Sequence, residues 1–85
     1  MNITENTKVW EIESQSVNHF DLDARFDSRK SFYGKAKVYV MKDGTQVLVS
    51  YSTIVSIYKD GKVTHFGKWS QTTTRHQREF ERQYA

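Results

Sequence analysis

Two Asp-Gly dipeptides govern what this chain can become. Lys42-Asp43-Gly44-Thr45 and Lys59-Asp60-Gly61-Lys62 each stand between runs rich in Val, Ile, Tyr and Thr. Asp-Gly tolerates the positive φ angles of a type I′ turn, so each pair signals a tight antiparallel hairpin. A two-residue loop at Asp43-Gly44 would set Val40 opposite Val47 and Val38 opposite Val49 on one buried face, with Tyr39 opposite Leu48 on the other. Ser52-Thr53 leads into Ile54-Val55-Ser56-Ile57-Tyr58, and Gly61 into Val63-Thr64-His65-Phe66. A meander of four short strands is expected, at about 36–42, 45–51, 54–59 and 62–66. The alternating run Lys8-Val9-Trp10-Glu11-Ile12-Glu13 reads as a fifth.

From Trp69 the period changes. Ser70 is placed to cap a helix, since its hydroxyl can accept from an otherwise unpaired backbone N–H. Thr73, His76, Phe80 and Tyr84 then share one face, and Arg75 and Glu79 stand i,i+4 as an ion pair on the outside. A helix of about 13 residues is marginal alone, so it must dock on the sheet through His76, Phe80 and Tyr84. His76 would bond the Thr-rich turn or Tyr51, as a histidine on a docking face usually finds a hydrogen-bond partner. Between the N-terminal part and the meander lies FDSRKSFYGKA, where Asp27 suits an N-cap and Gly34 a C′ position. Phe26 and Phe32 or Tyr33 would fold inward as corner plugs, leaving Arg29 and Lys30 outward. The expected class is α+β: an antiparallel four- to five-stranded meander sheet covered by one C-terminal helix, with a short helical turn or loop near 27–34. The length of 85 residues suits a single domain, 1–85, with residues 1–7 frayed. The stability expected of so small a core is about 5 kcal/mol.

Composition removes several classes of function. There is no cysteine, hence no disulfide framework, thiolate metal site or cysteine nucleophile. The longest apolar run is Val47 to Val49, far short of the roughly 20 residues of a membrane span. MNITENTKVW has no basic n-region and no apolar h-region, so no signal peptide is read and a cytoplasmic location is expected. The net charge of +3 is unevenly spread. Residues 1–23 set Lys8 against Glu5, Glu11, Glu13, Asp21 and Asp23, a local −4, and the remainder carries twelve basic and five acidic side chains, +7. A basic body fits an anionic partner, and equally an acidic strand packed beside basic ones.

Four constellations carry possible chemistry. Arg25, Arg29, Lys30, Lys35 and Lys37 are interleaved with Phe32, Tyr33 and Tyr39, the composition of a single-strand nucleic-acid surface without any RNA-recognition, KH or zinc-finger signature. The plain alternative is a structural corner with solvated bases. Arg75, Arg78 and Arg82 form a second basic group, interrupted by Glu79 and Glu81, which reads either as a phosphate or carboxylate contact or as a salt-bridged outer face. His19, Asp21 and Asp23 share a face at spacing two if extended and could ligate a divalent cation, against polar alternation around buried Phe20 and Leu22. No nucleophile elbow, phosphate loop or S-x-x-K motif is present, so no enzyme and no cofactor are implied. Twelve aromatic residues exceed what one small sheet and helix can bury. Trp69 and some of Tyr33, Tyr39, Tyr51 and Tyr58 are therefore expected at the surface, where Tyr, Trp and Arg dominate protein contacts.

Three stretches, FDSRKSFYGKA, VSYSTIVSIYKDGKV and GKWSQTTTRHQREFERQ, together resemble a family of small uncharacterised domains of bacteriophages and other mobile elements of Gram-positive bacteria. The resemblance covers about residues 26–83 and implies no catalytic or cofactor residues. In that pattern apolar residues follow the helix histidine and phenylalanine; Gln77 and Glu81 stand there here, which narrows the docking face. The resemblance implies a phage accessory protein. Such proteins commonly act by covering a host protein or nucleoprotein, as anti-CRISPR inhibitors do. The residues expected to carry that contact are Arg29, Lys30, Tyr33, Lys35, Arg75 and Arg82, and direct nucleic-acid binding through the same basic face is the alternative. An exposed edge strand beside Trp69 also leaves room for a homodimer.

Overall fold

A computed structural model describes residues 3–4, 6–23, 34–67, 69 and 71–84. Helix α1 (Val9–Gln15) leads directly into β1 (Ser16–Asp21), followed by β2 (Ala36–Met41), β3 (Gln46–Ser50), β4 (Thr53–Lys59), β5 (Lys62–His65) and α2 (Gln71–Tyr84). The strands form one antiparallel meander in the order β1-β2-β3-β4-β5. The fold is the expected α+β arrangement of five strands with the C-terminal helix packed on the sheet. Among the described residues no helix is long and apolar enough to cross a membrane.

The run at 8–13 is a helix, not the fifth strand. Its apparent alternation depends on Trp10, which is 67% exposed, whereas Val9 and Ile12, one helical turn apart, both turn toward the sheet. The Glu11 carboxylate accepts from the Lys8 backbone N–H at 3.0 Å and so satisfies one of the free donors of the first turn. The fifth strand instead follows at Ser16–Asp21.

The two Asp-Gly turns behave differently. Asp60 (φ 53°) and Gly61 (φ 77°) both take the left-handed conformation of a type I′ loop between paired Lys59 and Lys62. At the first hairpin Met41 and Thr45 close a three-residue loop instead. The Gly44 N–H donates to the Met41 carbonyl at 3.0 Å, the Met41 N–H to the Thr45 carbonyl at 2.8 Å, and Gly44 (φ 92°) is left-handed. The extra residue moves the register by one, so Val38 faces Leu48, Tyr39 faces Val47 and Val40 faces Gln46. A one-residue slip changes which side chains share a face. Val38 and Leu48 therefore lie on one side of the sheet, Val47 and Val49 on the other.

Both faces of the sheet are covered. On one, Phe80 of α2 packs with Leu22, Ala36, Val38, Leu48 and Val55. On the other, Ile12 of α1 and Ile3 pack with Met41, Val47, Val49 and Ile54. This explains why the central strand β3 is buried from Val47 through Ser50. The register shifts between Leu48 and Val49, and beside that shift the Val55 carbonyl accepts from the Phe66 N–H at 2.8 Å and from the Gln77 amide at 2.8 Å. Gln77 thus occupies a docking position that the sequence pattern had counted as lost. Helix α2 lies over β3 to β5, so Phe20 on β1 stays 39% exposed rather than buried, although its neighbour Leu22 is in the core.

Candidate functional site

The β3–β4 connection is the two-residue turn Tyr51-Ser52, between paired Ser50 and Thr53. Tyr51 takes φ 58°, the left-handed conformation that a bulky side chain adopts only against a steric cost. Its ring nevertheless stands out from the surface, 53% exposed. Three contacts hold it there. The Tyr51 N–H donates to the Lys35 carbonyl at 2.7 Å, the Lys35 Nζ lies 5.5 Å from the ring centroid, and the ring packs at 6.0 Å against that of His76. Beneath the turn, the buried Ser50 hydroxyl is hydrogen-bonded both to His76 Nδ1 at 2.7 Å and to the Thr73 hydroxyl at 3.1 Å. This network ties the turn to the first half of α2. His76 therefore packs its ring on Tyr51, one of the two partners expected for it, while its Nδ1 hydrogen-bonds Ser50 of β3, which in turn meets Thr73.

On the far side of the turn, Ser52, Thr53 and Ile54 face Asn6, Thr7, Lys8 and Val9 across a groove of about 280 Å3. The aromatic ring, the ammonium of Lys35 and this groove thus meet at one end of the sheet. A cation beside an exposed ring and an adjoining hollow supply contact area without supplying a base or nucleophile.

Of the residues singled out from the sequence, Arg29, Lys30 and Tyr33 lie outside the described residues, as do Asp27, Phe26, Phe32 and the Ser70 cap. Lys35 is exposed and joined to Tyr51. Arg75, half-buried, and Arg82, exposed, fall with exposed Arg78 at i, i+3 and i+7 along one side of α2, away from the buried stripe of Thr73, His76, Gln77 and Phe80. Arg75 and Arg82 are about 10 Å apart along the axis from the helical rise. Glu79 is buried and accepts from the Gln83 amide at 2.7 Å, and Glu81 reaches across to His65 Nε2 at 3.4 Å. Tyr51 was the residue the sequence did not rank. The signal was weak, an aromatic followed by Ser in a short link, and nothing in it announces a left-handed tyrosine.

Two Ser–His pairs invite a catalytic reading. Ser56 Oγ lies 2.6 Å from His65 Nδ1, whose other nitrogen faces Glu81. But Ser56 is 0% exposed and Ser50 is 2% exposed, so neither hydroxyl faces solvent. Among the described residues no group of three His, Asp or Glu side chains is placed to hold a metal ion. His19 and Asp21 share a strand face, and Asp23 lies beyond the strand end. His19 instead stacks on Tyr39 at 5.6 Å. Partial burial raises the Tyr39 hydroxyl above its ordinary 10.0, and the carboxylates of Glu13 and Asp21 push in the same direction.

Fold and surface define a small α+β module with a two-sided sheet and an aromatic–basic end. The chain belongs to a family of unknown function, DUF8033, whose model matches residues 20–85. No curated protein and no solved structure matches it.

Proposed function

We propose that this protein is a non-enzymatic binding module of phage or mobile-element origin. It covers a surface on a host protein or nucleoprotein in the bacterial cytoplasm, in the manner of inhibitors of host defence such as anti-CRISPR proteins. The observation that carries this reading is Tyr51: an exposed aromatic held in a costly backbone conformation, with a lysine ammonium against its ring. Strain of this kind persists where the surrounding structure imposes it, and it concentrates at binding sites and clamps. Tyr and Arg are the residue types that dominate protein contacts. The arginine stripe of α2 extends the same basic character along the helix. The enclosed hydroxyls of Ser50 and Ser56 favour binding over acyl or phosphoryl transfer.

Direct nucleic-acid binding is the second reading, favoured by the same pairing of lysine and exposed ring, since bases stack on aromatics beside a basic track. Capture of partners from a Gram-positive lysate by the tagged protein, with and without nuclease, separates the two. A discrete protein that survives nuclease supports occlusion of a host factor. Recovery of nucleic acid, with every protein lost after nuclease, replaces it with the second reading.

A further inference from the structure

We infer that the open edge of β1 is a docking edge for an extended, lysine- or arginine-bearing segment of a partner protein, which adds to the sheet as a further strand. Among the described residues β1 pairs only with β2; the outward His19 N–H donates to the Asn18 side chain at 2.8 Å, and the other outward N–H and C=O groups of the strand face no second strand there. Every residue from Val17 to Asp21 is exposed. Proteins usually protect such an edge with lysine, proline or shortness. The opposite edge follows that rule: β5 has four residues, begins with Lys62 and follows Lys59. The β1 sequence SVNHFD contains no lysine, arginine or proline. Its one irregularity lies between Ser16 and Asn18, which leaves Asn18–Asp21 in regular register. Val17, 65% exposed, and Phe20 offer apolar contact along this edge.

Charge selects the occupant. Residues 9–23 hold Glu11, Glu13, Asp21 and Asp23 and no lysine or arginine. The only base directly across the sheet is Lys37, opposite Asp21. A cationic strand therefore gains from this edge and an acidic one is repelled, because opposite charges across strands attract and like charges oppose pairing. A second copy brings no such gain. Antiparallel pairing of β1 with itself about His19 sets each Asp21 against Val17, so no cation meets the carboxylates. The inference is independent of the basic end at Lys35 and Tyr51, which would take a partner of the opposite charge.

The test is an NMR titration of the labelled protein with a peptide of the length of β1 that alternates lysine with valine or threonine. A glutamate-for-lysine version serves as control. The expected result is shifts and slowed amide exchange confined to residues 16–21, with the glutamate peptide at least about tenfold weaker. Val17→Lys and Asp21→Lys, both at exposed positions, are expected to weaken the lysine peptide by at least about fivefold at unchanged thermal midpoint. Shifts that map away from β1, equal affinity for the glutamate peptide, or no shift at millimolar peptide would overturn the inference. So would sedimentation of the free protein as a dimer that Val17→Lys dissolves, because a second copy would then own the edge.

Discussion

Tyr51 concentrates the conflict between folding and contact in one residue. A left-handed non-glycine backbone costs about 1–2 kcal/mol, and the lysine above the exposed ring returns about 0.5–1 kcal/mol. Tyr51→Gly removes both terms, so its unfolding free energy from urea titration should stay within about 1 kcal/mol of the parent's. Tyr51→Ala keeps the strained backbone and loses the ring, so it should be less stable than Tyr51→Gly by about 1 kcal/mol. If the alanine variant is the more stable, the backbone cost is not where the geometry puts it. Asp43 is a second residue with a measurable role. Its carboxylate accepts from the Thr45 N–H at 2.9 Å, and this bond, with the Thr45 hydroxyl, holds it below its ordinary value of 3.8. A carboxyl whose folded pKa is depressed stabilises fully above its unfolded value, and that support is lost as pH falls through the folded one. The stability difference between the parent and Asp43→Asn should therefore be flat near neutrality and shrink on acidification through and below pH 3.8. A difference that grows on acidification would contradict the assignment.

Among the elements, α2 and the second hairpin were legible in the sequence because local chemistry and tertiary need agree there. Asp60-Gly61 requires two positive φ angles and takes them, and the spacing of Thr73, His76 and Phe80 matches the face that docks. α1 was not legible. Lys8 is a poor capping residue, and Trp10 with Ile12 imitates a strand, whereas burial of Val9 and Ile12 on the sheet decides for the helix. The first hairpin was half legible: the turn exists, but a left-handed Gly44 as the third residue of the loop shifts the register, which dipeptide chemistry alone does not specify. Gln77 marks the limit of apolar patterning, since a polar side chain docks when a carbonyl awaits it. The Val55 carbonyl keeps a second donor, the Phe66 N–H, when the amide is removed. Gln77→Leu should therefore cost no more than about 1 kcal/mol, whereas Gln77→Glu sets a buried carboxylate against that carbonyl and should cost about 3 kcal/mol at neutral pH. Denaturant titration of the two variants checks the order.

At the scale of the molecule, a short sheet is sealed by one helix on each face, and the seal on the α2 side depends on Phe80, which is fully buried. Phe80→Ala should cost about 3–5 kcal/mol, close to the about 5 kcal/mol expected for a domain of this size. The variant should then retain at most about 2 kcal/mol, so denaturant titration followed by far-UV circular dichroism should show a midpoint far below the parent's, and a midpoint like the parent's would mean the core is broader than this. The candidate contact surface was legible only as composition. Lys35, Arg75 and Arg82 carry the right chemistry in the sequence, but their relation to Tyr51 depends on a turn and a buried Ser–His–Thr network that join residues more than twenty positions apart. We propose that the end of the molecule at Tyr51 and Lys35 is its contact surface. Its most direct test is quantitative capture from lysate by the parent, by Tyr51→Gly and by Lys35→Glu, on beads loaded with equal amounts of folded protein. The yield of a nuclease-resistant protein captured by the parent is expected to fall at least about tenfold with either variant, as for a contact hot spot. The same protein recovered at the same yield by all three would contradict it.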